Sequence, residues 1–303
     1  MPILRIIGLL LVLKLLVACS GSAFVNALTP RSGYTVERGI GYSEGPRRRL
    51  DLYMPDDAGP DAPVLVFLYG GGWDSGDRAM YRFVGQAFAA RGYVTVIPDY
   101  RIYPEVLWPD FLDDGAAAVA WARENAPSRG PLLLAGHSAG AYNAAMLALD
   151  RRWLEAQGAS PAALAAVAGL AGPYDFLPLQ DEDLKIIFGP EKERPRTQPI
   201  NYVDGSGPPM LLVTGGGDTT VDPANSTRLA ERIRQKGGTA EVKVYDRVGH
   251  IAIVGALAAP LRHLAPVLDD MDRFFRRTIA ADRVAADPVK PGARTDRPAV
   301  PDR

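Results

Sequence analysis

The sequence predicts an α/β fold: a mainly parallel, doubly wound sheet with an antiparallel pair at its N-terminal end and a small lid insertion. Three observations predict it. Strand-like and helix-like segments alternate from Val64 to Arg277, the pattern of a parallel sheet covered by helices on both faces. The strand segments, such as Val64 to Tyr69, are continuous apolar runs, as expected of strands buried on both sides. At Leu132 to Met146 an apolar run stops at Gly136-His137-Ser138-Ala139-Gly140 and an alanine-rich helical segment begins at once. That is a strand, a sharp turn and a helix, with a serine at the apex.

A chain of 303 residues is long enough for one large α/β domain with a substantial core. Its 34 Lys+Arg stand against 35 Asp+Glu, a net charge of -1. Neither a nucleic-acid partner nor a trap for acidic substrates follows from that balance. The single cysteine, Cys19, excludes an intramolecular disulfide.

The domain organisation starts with residues 1–19. Arg5, the apolar run Ile6 to Leu13, and Leu16-Val17-Ala18-Cys19 have the layout of an export signal: a short basic start, an apolar stretch and small residues before a cleavage point. Leu-Val-Ala-Cys also resembles the lipobox of bacterial lipoprotein signals, which implies lipidation at Cys19. Lys14 interrupts the apolar run, and a retained N-terminal anchor is the alternative. The expectation is an exported chain, lipid-anchored to a bacterial membrane in the cell envelope. Residues 20–33 are small and polar and read as a tether; 34–278 form the domain; 279–303, rich in Pro, Asp and Arg, read as a disordered tail.

Within the domain, Tyr34 to Arg38 and Arg49 to Tyr53 alternate as half-buried strands around a Gly-containing turn, giving the antiparallel pair. After the Val64 strand, Tyr69-Gly70-Gly71-Gly72-Trp73 places glycines where backbone can approach a ligand closely. Met80 to Arg91 reads as a helix and Tyr93 to Ile97 as a strand, with Asp99 and Arg101 expected to pair beneath the site. Pro109 to Asn125 is an amphipathic helix. The helix after Ser138 runs to about Leu149, and Leu164 to Leu170 is the next strand. Residues 177–208 mix charges and prolines with little periodicity beyond a short helix around Asp181 to Phe188, and form the lid insertion. Pro209 to Thr214 is a strand ending in Gly215-Gly216-Gly217-Asp218, a helix spans Asn225 to Lys236, and Ala240 to Tyr245 is a strand before Gly249-His250. A last helix covers Pro260 to Arg277.

Ser138, an aspartate near 218 and His250 fall at the ends of successive strands, and reactive groups at the carboxyl ends of parallel strands share one crevice. A hydroxyl nucleophile needs an imidazole to take and return its proton, and a carboxylate to orient that ring. Of the other histidines, His137 is expected to diverge from Ser138 and pack, and His263 lies in the final helix. Asp218 ends its glycine turn, whereas Asp222 precedes Pro223 and is placed to cap the next helix.

Tyr69-Gly-Gly-Gly-Trp73, Gly136-His-Ser-Ala-Gly140, Gly217-Asp218 and Gly249-His250 together resemble carboxylesterases of the α/β-hydrolase superfamily, in the branch near hormone-sensitive-lipase-like and feruloyl/acetyl esterases. The resemblance covers Tyr34 to Arg277. It implies Ser138 as nucleophile, His250 as base and Asp218 as the orienting acid, since Gly215, Asp218 and Val221 fit the pattern Gly-x-x-Asp-x-x-Val. It also implies an oxyanion hole from Gly71, Gly72 and Ala139, a small-molecule ester substrate, and no metal or cofactor. Tyr69 stands where such proteins usually carry His. Amide or formamide cleavage, acyl transfer, and a tethered binding protein without catalysis are the alternatives.

Overall fold

The computed structural model describes residues 21–286, so Cys19 with its signal, and 287–303, lie outside the described residues. Eight strands form one sheet: β1 (Tyr34–Gly41), β2 (Arg49–Pro55), β3 (Val64–Leu68), β4 (Val94–Pro98), β5 (Leu132–His137), β6 (Leu164–Leu170), β7 (Met210–Gly215) and β8 (Ala240–Tyr245). Their spatial order is β1-β2-β4-β3-β5-β6-β7-β8. β2 is antiparallel to both β1 and β4, and all other pairings are parallel. This is the expected α/β-hydrolase architecture. The carboxyl ends of β3, β5, β7 and β8 open on the same side of the sheet.

Alternation along each buried strand divides the core in two. Leu65 and Phe67 of β3, with Leu133 and Ala135 of β5, pack against α2 (Arg82–Ala89) through Val84 and Phe88. Val64, Val66 and Leu68, with Leu132 and Leu134, face the other way, onto α3 (Asp110–Asn125) and α4 (Ala139–Leu149). These side chains are buried, and each Val, Leu and Phe among them is worth roughly 1.5–3 kcal/mol relative to exposure. Two faces of such surface explain why the strands read as unbroken apolar runs.

Several segments depart from the expected plan. Residues 21–28, inside the expected tether, form a helix, α1. It is docked: Asn26 donates to the carbonyls of Ala79 and Met80 at 3.0 and 3.1 Å and accepts from the Phe83 backbone at 3.1 Å. The expected Met80 to Arg91 helix starts as a 3-10 turn, Arg78–Tyr81, capped by Asp77, and only then becomes α2. A short α5 (Arg152–Ala156) follows α4. Residues 177–208 contain α6 (Glu182–Ile187) where a short helix is expected, then two 3-10 turns. They are tied to the body, with the Tyr142 hydroxyl donating to the Thr197 carbonyl at 2.6 Å and the Trp108 backbone N–H to Ile187 at 2.9 Å. After α7 (Ala224–Gln235) comes α8 (His250–Gly255), which begins at His250 itself. The expected last helix is split at Pro266: a 3-10 segment, Ala259–Leu264, holds His263, and α9 (Val267–Ala286) extends into the stretch read as tail.

Candidate active site

The turn after β5 holds Ser138 at φ 54° and ψ -122°, a conformation that costs an L-residue energy and is retained where the surroundings enforce it. The glycines on either side are required by proximity. A Cβ on Gly136 would lie 2.2 Å from the Gly140 carbonyl oxygen, and one on Gly140 would lie 2.1 Å from that of Leu68. Ser138 donates its backbone N–H to Leu170 at 2.8 Å, and α4 begins with the next residue. The side chain is thereby thrust out from the end of the sheet.

His250 reaches it from the first position of α8, after β8. Its Nε2 is 2.8 Å from Ser138 Oγ and its Nδ1 is 2.7 Å from Asp218 Oδ2. A carboxylate only accepts, so Nδ1 carries the proton, Nε2 is the free acceptor, and the serine hydroxyl donates to it. The Asp218 side chain is fully buried. Its second oxygen accepts from the backbone N–H groups of Thr220 and Val221 at 2.8 and 2.9 Å, which fixes the carboxylate in place. Asp222 does something else. Its Oδ1 accepts from the Ala224 backbone at 3.0 Å and its Oδ2 pairs with Arg228 at 3.4 Å, so it caps α7 at the surface.

His137, expected only to pack, has a second task. Its Nε2 lies 3.0 Å from the His250 carbonyl oxygen, and the two rings are 4.9 Å apart. A carbonyl cannot donate, so His137 is the neutral tautomer with its proton on Nε2. Burial pushes its pKa down to about 3, and neighbouring His250 adds to that. The divergence of its side chain from Ser138, legible in the sequence, is what directs it to the backbone of the other histidine.

The glycine turn after β3 packs directly against the serine: a Cβ on Gly70 would lie 3.0 Å from Ser138 Cβ. Gly71 and Gly72 have φ of 140° and 60°, and Trp73 also lies at positive φ, 64°. Its indole donates to Asn143 Oδ1 on α4 at 3.0 Å. Ala139 opens α4, where backbone N–H groups have no partner within the helix. Asp99 and Arg101 do not pair with each other as expected. Asp99 binds Arg78 in the turn before α2, and Arg101 binds Asp114 on α3 at 2.8 Å, so each is held by a neighbouring element instead. Among the described residues, no group of three or more His, Cys, Asp or Glu is arranged to hold a metal ion.

A family model described as BD-FAE matches residues 50–233. The chain is 30% identical over 251 residues to the probable isoprenylcysteine alpha-carbonyl methylesterase ICMEL1 of Oryza sativa subsp. japonica, covering 74% of this chain and 59% of that protein. It is 30% identical over 247 residues to Esterase LipC of Mycobacterium tuberculosis, with the same two coverages, 74% and 59%. The chain thus spans about three fifths of the length of these curated relatives. Among solved structures, a phosphonate-inhibited esterase B from Lactobacillus rhamnosis superimposes with a TM-score of 0.77 at 21% identity, covering 90% of this chain and 95% of the other, which establishes likeness of fold.

Proposed function

The chain belongs to the BD-FAE family, and on that premise we propose that it is a serine hydrolase cleaving small carboxylic esters through an acyl-enzyme. The observation that carries this reading is the relay from Ser138 to His250 to Asp218, with contacts of 2.8 and 2.7 Å. Ser138 Oγ attacks the ester carbonyl carbon while its proton passes to His250 Nε2. Asp218 holds the ring and stabilises the imidazolium. The carbonyl oxygen, now negative, is received by backbone N–H groups of Gly71 or Gly72 and of Ala139. Nε2 then gives its proton to the departing alcohol. A water, deprotonated by the same nitrogen, releases the acid and restores Ser138. Relatives named as a methylesterase and an esterase support ester cleavage.

The test is turnover of short, long and aryl esters by the purified full chain, beside Ser138→Ala. A loss on the order of 10⁴-fold or more in kcat is expected; equal turnover by the variant overturns the mechanism. The same reading places the enzyme in the cell envelope, tethered by lipid at Cys19, supported by the signal-like Met1 to Cys19 sequence. Among the described residues no helix is long and apolar enough to cross a membrane. Mass spectrometry of the mature N-terminus decides: a lipid-modified Cys19 is expected, and an unmodified, uncleaved Met1 refutes it.

A further inference from the structure

Behind the glycine turn lies a buried polar network that the hydrolytic relay does not use. Tyr69, the last residue before Gly70, is fully buried. Its hydroxyl donates to Asp99 Oδ1 at 3.0 Å and accepts from Arg47 Nη2 at 2.9 Å. The same Arg47 nitrogen donates to the Gly76 carbonyl at 2.7 Å, and its Nε to the Tyr100 carbonyl at 3.0 Å. Tyr100 returns its hydroxyl to the Tyr69 carbonyl at 2.8 Å. The Tyr69 ring stacks between Tyr100, at 4.7 Å, and Tyr81, at 5.5 Å. Asp99 is fixed in turn by Arg78, whose backbone N–H reaches its Oδ1 at 2.7 Å.

The network joins both ends of one loop. Arg47 Nη2 bridges the Tyr69 hydroxyl, where the loop leaves β3, and Gly76, where it returns. Between them the Gly71 carbonyl accepts from the backbone of Asp74 and Ser75 and from Ser75 Oγ, at 3.1, 3.0 and 2.9 Å. A trans peptide is planar, with its C=O and N–H pointing in opposite directions. Fixing the Gly71 carbonyl therefore fixes the aim of the Gly72 N–H. Burial pushes the Tyr69 phenol well above its ordinary range, with Tyr100 and Asp99 adding, so it stays a donor.

We propose that Tyr69, through its hydroxyl between Asp99 and Arg47, is a positioning residue that sets the Gly72 N–H group for the oxyanion of the hydrolytic step. The proposal rests on the esterase reading above. Electrostatic preorganisation of this kind acts on the transition state more than on substrate binding. Tyr69→Phe keeps the stacked ring and removes only the bridge.

The experiment is stopped-flow and steady-state hydrolysis of p-nitrophenyl acetate by the full-length protein. For Tyr69→Phe we expect the rate of the acylation burst and kcat to fall about 10–100-fold, with KM within about threefold and burst amplitude, which counts competent Ser138, retained. Arg47→Met, which leaves the Tyr69 ring stack intact, is expected to change the same quantities in the same direction, and decides the matter if Tyr69→Phe does not fold. Arg38→Met, on the exposed side of β1, serves as control. A burst rate within twofold of wild type, or a loss of amplitude at unchanged rate, overturns the proposal while leaving the esterase reading intact. A wild type without turnover, or a Ser138→Ala protein as active as wild type, overturns the esterase reading and this proposal with it.

Discussion

Two triple-glycine segments close strands at the same end of the sheet; both need glycine for space, and only the first also needs it for positive φ. Gly70-Gly71-Gly72 follows β3, and two of its residues sit at positive φ. Gly215-Gly216-Gly217 begins on the last residue of β7 and has no positive φ. There the demand is for space: a Cβ on Gly215 would lie 2.0 Å from the Val248 carbonyl oxygen, and one on Gly216 would lie 2.8 Å from that of Asp246. The first turn needs glycine for positive φ at Gly71 and Gly72 as well as for space at Gly70 and Gly71, and the second needs it for space alone, which lets Asp218 approach the segment that carries His250. One tripeptide thus answers two physical requirements, and side-chain chemistry comes only from the residue next in the chain: Trp73 in one case, Asp218 in the other.

The sharpest division falls within the second turn. Asp218→Asn keeps the shape and the acceptor for Thr220 and Val221, yet presents an amide to His250 Nδ1 and favours the wrong tautomer. A fall of about 10⁴-fold in kcat is expected with folding intact. Asp222→Asn, four residues on, should stay within about twofold of wild type, because its cap on α7 is exposed and worth little to the relay. Ester kinetics with circular dichroism on both proteins tests this; a similar loss in the two would mean that the turn, not the carboxylate, is what matters.

Much of this is legible in the amino-acid sequence. The strands are readable because burial on both faces leaves an unbroken apolar run, and the Ser138 turn is readable because small residues at 136 and 140 are needed for strand and helix to approach. Pattern alone prefers Asp218 to Asp222; the geometry supplies the reason, a buried carboxylate against an exposed cap. Pairing between distant elements is not legible. Asp99 meets Arg78 and Arg101 meets Asp114 because of how a 3-10 turn and α3 pack, and nothing local encodes that. Docking of residues 21–28 hangs on Asn26 meeting the backbone around Ala79, where composition suggests a free tether. Spacing puts His137 on the right side of its turn, but its acceptor is 113 residues away.

Stability separates the two turns at a smaller scale. Gly215→Ala must displace the Val248 carbonyl, and Gly71→Ala faces both a φ of 140° and the Ser75 oxygen at 2.2 Å. Each is expected to cost about 2–4 kcal/mol in urea unfolding. Gly217→Ala, whose nearest neighbour would be 3.3 Å away without positive φ, should cost under about 1 kcal/mol. If Gly217→Ala were as harmful as Gly215→Ala, close approach to Val248 would not be what the second turn requires.

The turns meet at His137, and acidity reads that junction. A Cβ on Gly70 would lie 2.9 Å from His137 Nδ1, while Nε2 donates to the carbonyl of His250 beside the second turn. Nδ1 is buried and has no hydrogen-bond partner among the described residues, so the folded state resists a proton there, and the pKa is held down to about 3 by burial. In the unfolded chain the same ring takes a proton below about pH 6.5. Between these values the unfolded state binds more protons, so this contribution to stability is complete above about pH 6.5 and declines as pH falls toward about 3. The slope is about half of its limit of about 1.4 kcal/mol per pH unit at about pH 6.5 and approaches that limit below it, so between about pH 6.5 and 5 the change is between about 1 and 2 kcal/mol. His137→Gln retains a donor for the His250 carbonyl but does not titrate. Urea unfolding of the two proteins across that range should therefore show a difference in stability that shifts in the variant's favour as pH falls. A difference independent of pH would place the buried proton site elsewhere and leave His137 only as the link between the two turns.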